Sequence, residues 1–310
     1  MGEFTMSNRR NFIKQSVVLG GGALTLGLYP NELFASGELV KLTVVHTNDI
    51  HYHLDPFPET DAEYAGRGGL ARIASLVSTY RKENPNLLLV DSGDMFQGTP
   101  YFNYFKGDLI LKVMSKMGYD AGTLGNHEFD NGLNDILSAL RYANFPIVTS
   151  NYDFSDTVLA GHTKSHVILK KGGVKVGIYG LGIELFGLVT KQNYAGTRYL
   201  SPLETALKME HLLKKEHNCD LVICLSHLGF SYKENKISDK ALAPQTKYTD
   251  MILGGHTHTF LDKPLLLKNA EGRPILVNQA GWGALAAGKI DLVFDRRGHM
   301  KGRTAEINIL

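Results

Sequence analysis

The sequence predicts one mixed α/β domain, with helices concentrated in the first half and strands towards the carboxyl end. Two observations lead to this prediction. Short apolar runs of strand length alternate with longer stretches in which apolar residues recur at helical spacing. In addition, the chain contains no internal repeat, low-complexity segment or evident linker after its amino-terminal region. One domain that contains both element types is therefore the simplest prediction.

The first half is predicted to alternate strands and helices. Leu39–Val45 is an apolar run of strand length, and Gly69–Lys82 carries apolar residues at helical spacing with a charged far side. A later helix is expected to end at Gly118, because glycine readily adopts the conformation that terminates helices. The remaining elements predicted here are strand Leu87–Val90, helix Asp108–Met117, strand Ala121–Leu124, helix Asn131–Tyr142 and strand Ile147–Thr149.

The second half is predicted to be richer in strands. Ser165–Tyr179 contains two β-like runs separated by Gly172-Gly173, which is typical of a tight hairpin. A helix over Pro202–His217 leads into the apolar strand Leu221–Leu225. The strands expected after it are Ile252–Leu253, Leu265–Leu267, Ile275–Val277, Lys289–Phe294 and Ala305–Ile309.

The amino-terminal residues are interpreted as production and export signals, outside the fold. Met1–Thr5 has the character of a cloning remnant before a start at Met6. Asn8–Lys14 contains Arg9-Arg10 and resembles a twin-arginine export signal, and a glycine-rich apolar stretch follows it. We therefore predict residues 6–37 to be a twin-arginine signal peptide and residues 38–310 to form the domain. The protein is expected to be periplasmic or otherwise exported.

The same apolar stretch is a poor membrane anchor. A spanning helix needs about 20 continuous apolar residues, whereas this stretch is interrupted by Gly20–Gly22 and Gly27 and is followed by Pro30. It contains no cysteine that could carry a lipid. We therefore predict no stable membrane anchor after cleavage.

The composition argues against a polyanionic partner. The chain has 33 Lys and Arg against 31 Asp and Glu, so its net charge is close to zero. A near-neutral surface gives no support to binding of a nucleic-acid polymer or a membrane. Cys219 and Cys224 are too far apart on an extended strand for a disulfide, and Cys224 is expected to be a buried thiol.

Side chains that bind divalent metals follow several of the predicted strands. In open α/β sheets, ligands gather on loops at the carboxyl ends of strands. Oxygen and nitrogen donors of this mixed kind accept Mn, Zn, Fe or Co, so the metal identity stays open. The predicted ligands are Asp49, His51, Asp94, Asn126, His227, His256 and His258.

The spacing of these residues supports the prediction. Residues i and i+2 on an extended backbone point the same way, so Asp49 and His51 can face one cavity. Asp94 is the natural bridging carboxylate, because Gly93 before it lets the backbone turn close to the metals. A single Asp-x-His motif is ordinarily solvated at the surface, and a lone histidine such as His227 is ordinarily a core residue whose hydrogen bonds are satisfied. The combination favours a metal site.

Five longer motifs resemble the metallophosphoesterase domain of the bacterial and animal 5′-nucleotidase family. The resemblance extends from Leu39 to about Leu310 and implies a two-sheet β-sandwich with helices on both outer faces. The motifs are Thr43-Val44-Val45-His46-Thr47-Asn48-Asp49-Ile50-His51, Gly93-Asp94-Met95-Phe96-Gln97-Gly98-Thr99-Pro100, Leu124-Gly125-Asn126-His127-Glu128-Phe129-Asp130-Asn131-Gly132, Gly254-Gly255-His256-Thr257-His258 and Asn278-Gln279-Ala280-Gly281-Trp282-Gly283.

The resemblance also implies a specific role for each of these residues. His127 would face the substrate phosphate, with Asp130 behind it. Two metals can bring bound water to a pKa near 7 and stabilise the attacking and leaving oxygens. The expected nucleophile is a metal-bridging hydroxide, with His127 stabilising the transition state or the leaving group. One divalent ion would be held by Asp49, His51, Asp94 and His258, and a second by Asp94, Asn126, His227 and His256.

The implied activity is hydrolysis of phosphomonoesters, chiefly nucleotides. Full-length 5′-nucleotidases continue into a second domain that grips the nucleoside, and the sequence does not contain it. The domain could act alone, could pair with a separately encoded nucleotide-binding chain, or could prefer a 2′,3′-cyclic nucleotide. Two further hypotheses are the thiohydrolase of sulfur oxidation and a non-catalytic exported subunit.

Several further residues receive structural interpretations. His46 lies in an apolar run and is expected to be structural, and Glu128 is expected to orient its loop. His53 is a weaker candidate for substrate contact. The aromatic group Phe96, Tyr101, Phe102, Tyr104 and Phe105 is expected to pack a helix rather than stack on a base. Solvated or structural roles are expected for His162, His166, His211, His217 and His299.

Overall fold

A computed structural model describes residues 33–34 and 37–310 of the chain. The predicted cloning remnant and nearly all of the predicted signal peptide lie outside the described residues. Within the described part of the chain, no helix combines the length and the apolar character needed to cross a membrane.

The strands form two large sheets and one two-stranded ribbon. Most of them are short, and the longest reach 10 residues. In chain order they are β1 Leu39–Thr47, β2 Leu87–Asp91, β3 Ala121–Gly122, β4 Tyr152–Asp153, β5 His166–Lys171, β6 Val174–Gly182, β7 Arg198–Tyr199, β8 Leu221–His227, β9 Met251–Gly254, β10 Leu265–Lys268, β11 Pro274–Asn278, β12 Ala286–Asp295 and β13 Met300–Ile309.

Each large sheet has a parallel centre. The first sheet has the order β13-β12-β1-β2-β3, and the second has the order β10-β11-β9-β8-β6-β5. β1, β2 and β3 are parallel to one another, as are β6, β8, β9 and β11, whereas β12 is antiparallel to β1, and β13, β5 and β10 are each antiparallel to the neighbouring strand. In each sheet, the central strands therefore deliver their carboxyl ends to the same edge.

The helices cover the outer faces of the two sheets. An apolar cluster that includes Val45 and Leu89 joins the first sheet to four helices, and another that includes Val222 joins the second sheet to two helices. The helices are α1 Leu70–Glu83, α2 Pro100–Phe105, α3 Asp108–Met117, α4 Leu133–Leu140, α5 Pro202–His211 and α6 Asp239–Leu242, with a π-helical turn at Leu212–Glu216 and 3₁₀ turns at His127–Phe129, Lys191–Tyr194 and Ala243–Gln245.

A third apolar cluster lies between the sheets. It contains Leu42 and Val44 of β1 together with Ile223 and Leu225 of β8, all of them fully buried. Alternate residues of β1 point the other way, so Val45 packs against the helices. These layers confirm the two-sheet sandwich with helices on both sides.

Most predicted elements are present, with some differences at their ends. The hairpin across Gly172-Gly173 is formed by β5 and β6. The helix predicted over Pro202–His217 is α-helical only to His211 and continues as a π-helical turn. The strand predicted at Ile147–Thr149 is wrong as a full strand, because only Ile147 and Val148 form isolated bridges, each to a different neighbour.

Candidate metal centre

The predicted ligands are positioned by the ends of parallel strands. Asp49 and His51 follow β1, and Asp94 follows β2. Asn126 lies four residues beyond β3, and His227 is the last residue of β8. The remaining two, His256 and His258, follow β9.

The first group of ligand atoms comes from both sheets. Asp49, His51 and His258 offer atoms that all lie within 4.8 Å of one another. The Nε2 atoms of His51 and His258 are 3.0 Å apart, and His258 Nε2 is 3.4 Å from Asp49 Oδ1. Asp94 Oδ2 lies 3.9 Å from His51 Nε2, so this carboxylate borders the group.

A second group lies beside the first. Asp94, His227 and His256 also offer atoms within 4.8 Å of one another. His227 Nε2 is 3.0 Å from Asp94 Oδ2, and His256 Nδ1 is 2.8 Å from Asn126 Oδ1. The structure thus brings all seven predicted ligands together in two groups that meet at Asp94. Their role as ligands stays a prediction.

The chemistry of the two groups fits a pair of divalent cations. Asp49 and Asp94 are almost fully buried, and in the described part of the chain their ion pairs are with histidines alone. The buried His227 Nε2 faces Asp94 Oδ2 at 3.0 Å without the geometry of a hydrogen bond. Buried carboxylates and orphaned imidazole nitrogens are costly unless a cation or a donor satisfies them.

The loops that carry the ligands adopt an uncommon backbone conformation, so the extended backbone expected for Asp49 and His51 is wrong. Non-glycine residues rarely take positive φ, because Cβ then crowds the neighbouring carbonyl oxygen. Backbone hydrogen bonds hold this geometry, since the N–H groups of Asp49 and His51 donate to the carbonyl oxygens of Gly93 and Asp94. Positive φ occurs at Asp49 (50°), His51 (47°), Asp94 (56°), His256 (75°) and His258 (51°).

Glu128 organises the loops, as its sequence context indicates. Its carboxylate is buried and accepts hydrogen bonds from the backbone N–H groups of Asp94, Met95, Phe96 and Gly125, at 2.6–3.0 Å. Burial, with the Asp94 charge beside it, raises the pKa of Glu128 to about 7. One side chain therefore links the loop after β2 to the loop after β3.

The predicted catalytic pair lies beside the ligands. His127 Nδ1 is 2.7 Å from Asp130 Oδ2, and the His127 backbone N–H donates to Asp94 Oδ1 at 2.8 Å. The hydrogen bond to Asp130 raises the pKa of His127 to about 9, although burial opposes the shift. The His127 ring lies 5.2 Å from the His51 ring, and about a third of the side chain is exposed.

Two features near the ligands have no counterpart in the sequence predictions. Trp282 stacks on His258, whereas the sequence motif around it predicts no role for the indole. The other feature is a buried network in which Asp239 accepts from Ser226 Oγ and Gln279 Nε2, while Gln279 also donates to the Gly255 carbonyl oxygen. In the sequence, the position of Trp282 between Gly281 and Gly283 is the one feature that could have drawn attention to the indole.

The secondary candidates occupy structural positions. His46 is fully buried and hydrogen-bonded to Asn278, and His53 stacks on Phe57 outside both ligand groups. Among the aromatic residues after Asp94, Phe96 and Phe102 are buried, whereas Tyr104 is 82% exposed and contributes no core packing. Both cysteines are free and buried.

Comparisons with known proteins all point to one family of phosphoesterases. The calcineurin-like phosphoesterase family matches residues 42–260. A snake venom 5′-nucleotidase from Gloydius brevicauda is 32% identical over 285 residues, covering 84% of this chain and 46% of that protein. The trifunctional nucleotide phosphoesterase YfkN of Bacillus subtilis is 34% identical over 304 residues, covering 88% of this chain and 19% of that protein.

The solved structures agree with the sequence comparisons. The 5′-nucleotidase precursor of Thermus thermophilus superposes with a TM-score of 0.79 at 32% identity, covering 87% of this chain and 55% of that one. The chain thus spans about half the length of the 5′-nucleotidases it matches. On the family match and the shared fold, the chain belongs to the calcineurin-like phosphoesterase family of metal-dependent phosphoester hydrolases.

Proposed function

We propose that this chain hydrolyses phosphomonoesters, chiefly nucleotides, at a centre that holds two divalent metal ions. The observation that carries the proposal is the meeting of two three-residue ligand groups at Asp94, with His127 hydrogen-bonded to the same carboxylate. The relatives named above as 5′-nucleotidases and as a nucleotide phosphoesterase support nucleotides as the substrate class.

The ligand residues divide as the two groups suggest. Asp49, His51, Asp94 and His258 would hold one ion, and Asp94, Asn126, His227 and His256 would hold the other. Bound divalent ions would polarise the phosphoryl oxygens and lower the pKa of bound water. Mn, Zn, Fe and Co all suit this mixture of oxygen and nitrogen donors.

His127 is proposed to act on the substrate directly. Its Nδ1 is engaged by Asp130, which leaves Nε2 to donate a hydrogen bond to a phosphate oxygen or to the leaving group. Asp130 is held in turn through its backbone, because Asn193 Nδ2 donates to its carbonyl oxygen at 2.6 Å. The imidazole is therefore oriented before the substrate arrives.

A substrate panel combined with metal analysis tests the proposal. Protein loaded with Mn²⁺, Zn²⁺ or Co²⁺ should release phosphate from nucleoside monophosphates and p-nitrophenyl phosphate, and a chelator should abolish the release. Preferential opening of 2′,3′-cyclic nucleotides would replace the monoester assignment by a phosphodiesterase. A protein that holds two ions and hydrolyses no phosphate ester would refute the proposal.

We also propose that the protein acts after twin-arginine export. The support is the Arg9-Arg10 motif and the interrupted apolar stretch behind it. Replacing both arginines by lysine, Arg9→Lys with Arg10→Lys, should retain the protein in the cytoplasm, measured by fractionation of cells that express the full chain. Equal export of the double variant and the native sequence would contradict this route.

A further inference from the structure

His258 is a weakly supported imidazole of the candidate centre, and the buried His51 likewise has no hydrogen-bond partner at Nδ1 among the described residues. Metal-ligating histidines usually donate their second ring nitrogen to a carbonyl or carboxylate, which fixes the ring. His227 follows this rule, because its Nδ1 lies 2.7 Å from the Ser92 carbonyl oxygen and its side chain is fully buried. The His258 side chain is 39% exposed, and its Nδ1 forms no hydrogen bond within the described part of the chain.

An aromatic ring instead covers one face of the His258 imidazole. The Trp282 indole lies parallel to the His258 imidazole, with ring centroids 5.3 Å apart and planes inclined by 6°. This is the offset-stacked arrangement that aromatic pairs favour. Rotation of the His258 ring about its Cβ–Cγ bond would break the parallel contact.

Trp282 is itself held in place. Three further rings meet it nearly at right angles, those of His53, Phe57 and Tyr64, with centroids 5.5–6.1 Å away. Each of these contacts restricts the orientation of the indole. The indole is therefore packed as one member of a fixed aromatic cluster.

The backbone around Trp282 is tied to the ligand loop after β1. The Gly283 N–H donates to the Asp49 carbonyl oxygen at 2.7 Å, and Asn48 Nδ2 donates to the Gly281 carbonyl oxygen at 2.7 Å. The backbone on both sides of Trp282 is therefore attached to the loop of Asp49, which is a predicted ligand of the same ion as His258.

From these contacts we propose that Trp282 is a positioning residue, whose indole holds the His258 imidazole in the orientation that metal binding requires. The proposal rests on the two-metal centre proposed above and assigns a role to a residue outside the ligand set. Its effect is confined to one of the two ions, because Trp282 stacks on His258 and has no ring contact with His227 or His256 among the described residues.

Three substitutions at Trp282 test the proposal by metal binding alone. Equilibrium dialysis against graded concentrations of free Co²⁺ should show two ions per chain for the native protein. Trp282→Ala and Trp282→Leu should lower the affinity for one ion by about 10–100-fold, as loss of a residue that orients a metal ligand usually does. The affinity for the other ion should stay within about twofold of the native value. Trp282→Phe should restore most of the lost affinity, since it keeps a flat ring.

The leucine variant and a surface control separate orientation from packing. Leucine keeps apolar volume without a ring, so native affinity in Trp282→Leu would overturn the proposal. An equal loss of affinity for both ions in the alanine variant would also overturn it. Phe186→Ala serves as the control, because this side chain is 81% exposed and makes no ring contact within the described residues.

The chain's single tryptophan supplies a second readout that needs no change at Trp282. Co²⁺ should quench the fluorescence of Trp282 as an ion binds to the group of Asp49, His51 and His258. His258→Ala should move the midpoint of this quenching to a higher Co²⁺ concentration. Unchanged emission while two Co²⁺ ions bind would overturn the proposal. A native protein that binds both ions but hydrolyses no ester would refute the proposed function and leave this inference standing.

Discussion

Asp94 connects all parts of the candidate centre. Its Oδ2 lies 3.0 Å from His227 Nε2 and 3.9 Å from His51 Nε2, and its Oδ1 accepts the backbone N–H of His127. Burial works against ionisation of this carboxyl, but the facing histidines, His227 foremost, hold its pKa below the usual range. One carboxylate therefore couples both ligand groups to the predicted catalytic histidine.

The first prediction concerns His127. His127→Ala should lower kcat by about 10²–10⁴, the usual contribution of a positioned acid or base, while both metal ions remain bound. Steady-state kinetics and metal analysis on the same preparation check this. His162→Ala is a suitable control, since that histidine lies outside both ligand groups. A metal-replete H127A variant with native kcat would show that the imidazole takes no part in the reaction.

The second prediction concerns Glu128. Glu128→Gln replaces one acceptor oxygen by an N–H₂ group that faces backbone donors, so at least one buried N–H loses its partner. The free energy of unfolding should fall by about 1–3 kcal/mol, and metal affinity should fall with it. Denaturant unfolding measures the first effect. Glu216→Gln, at a side chain that is 61% exposed, should change neither quantity.

The seven ligand positions could be recognised from sequence because their chemistry is local. Each is a polar residue at the end of a strand or within four residues after it, and the strand-end rule brings such residues to one edge. Trp282 could not be assigned in this way. Its contact with His258 joins the loop after β9 to the loop after β11, and no spacing in the sequence encodes that meeting.

At the scale of elements, long amphipathic or apolar segments were predictable and short ones were not. Helix α3 has the predicted bounds Asp108–Met117, because its apolar residues repeat regularly and Gly118 adopts the left-handed conformation at its end. The two-residue strands β4 and β7 are formed by pairing with each other, and their sequences carry no periodic signal. β12 begins at Ala286, earlier than predicted, because Ala286–Gly288 pairs with the end of β13. Gly288 also pairs with His46 of β1.

The third prediction concerns the layer between the sheets. Ile223 of β8 is fully buried in the cluster that joins both sheets. Ile223→Ala should lower the free energy of unfolding by about 2–5 kcal/mol, through lost burial and the cavity left behind. Denaturant titration followed by circular dichroism gives this value. Val158→Ala, at a side chain that is 46% exposed, should have little effect, and equal losses in the two variants would contradict the layer assignment.

At the scale of the whole molecule, the fourth prediction is a dependence of stability on pH. Burial lowers the pKa of His46 to about 3, from an ordinary value of 6.5. Between these values the unfolded chain binds a proton at this position and the folded chain does not. His46 therefore makes the folded state less stable as pH falls from 6.5 towards 3, by roughly 1.4 kcal/mol per pH unit.

Comparison of two variants isolates this contribution from other titrating groups. His46→Gln can keep an acceptor for Asn278 Nδ2 and cannot bind a proton, so its unfolding free energy should depend less steeply on pH below 6.5. His299→Gln, at a side chain that is 66% exposed, should leave the slope close to that of the native protein. Parallel curves for H46Q and the native protein would contradict the assignment.

The layered architecture was predicted through the family resemblance and only partly from the residues. Periodicity alone indicated mixed α/β structure, since it cannot show which strands pair. The pairing of β1 with β12, almost 250 residues later in the chain, is a long-range feature of this kind. It places β1, the strand that Asp49 follows, in the middle of the first sheet.

The left-handed backbone at five of the predicted ligands has a consequence for protein engineering. A free peptide that contains Asn48–Tyr52 would avoid this conformation and leave its carboxylate and imidazole far apart. Metal binding by these motifs therefore depends on the scaffold that holds the loops in this conformation. Transplanting the motifs into another protein would succeed only where the host reproduces the spacing of both sheets.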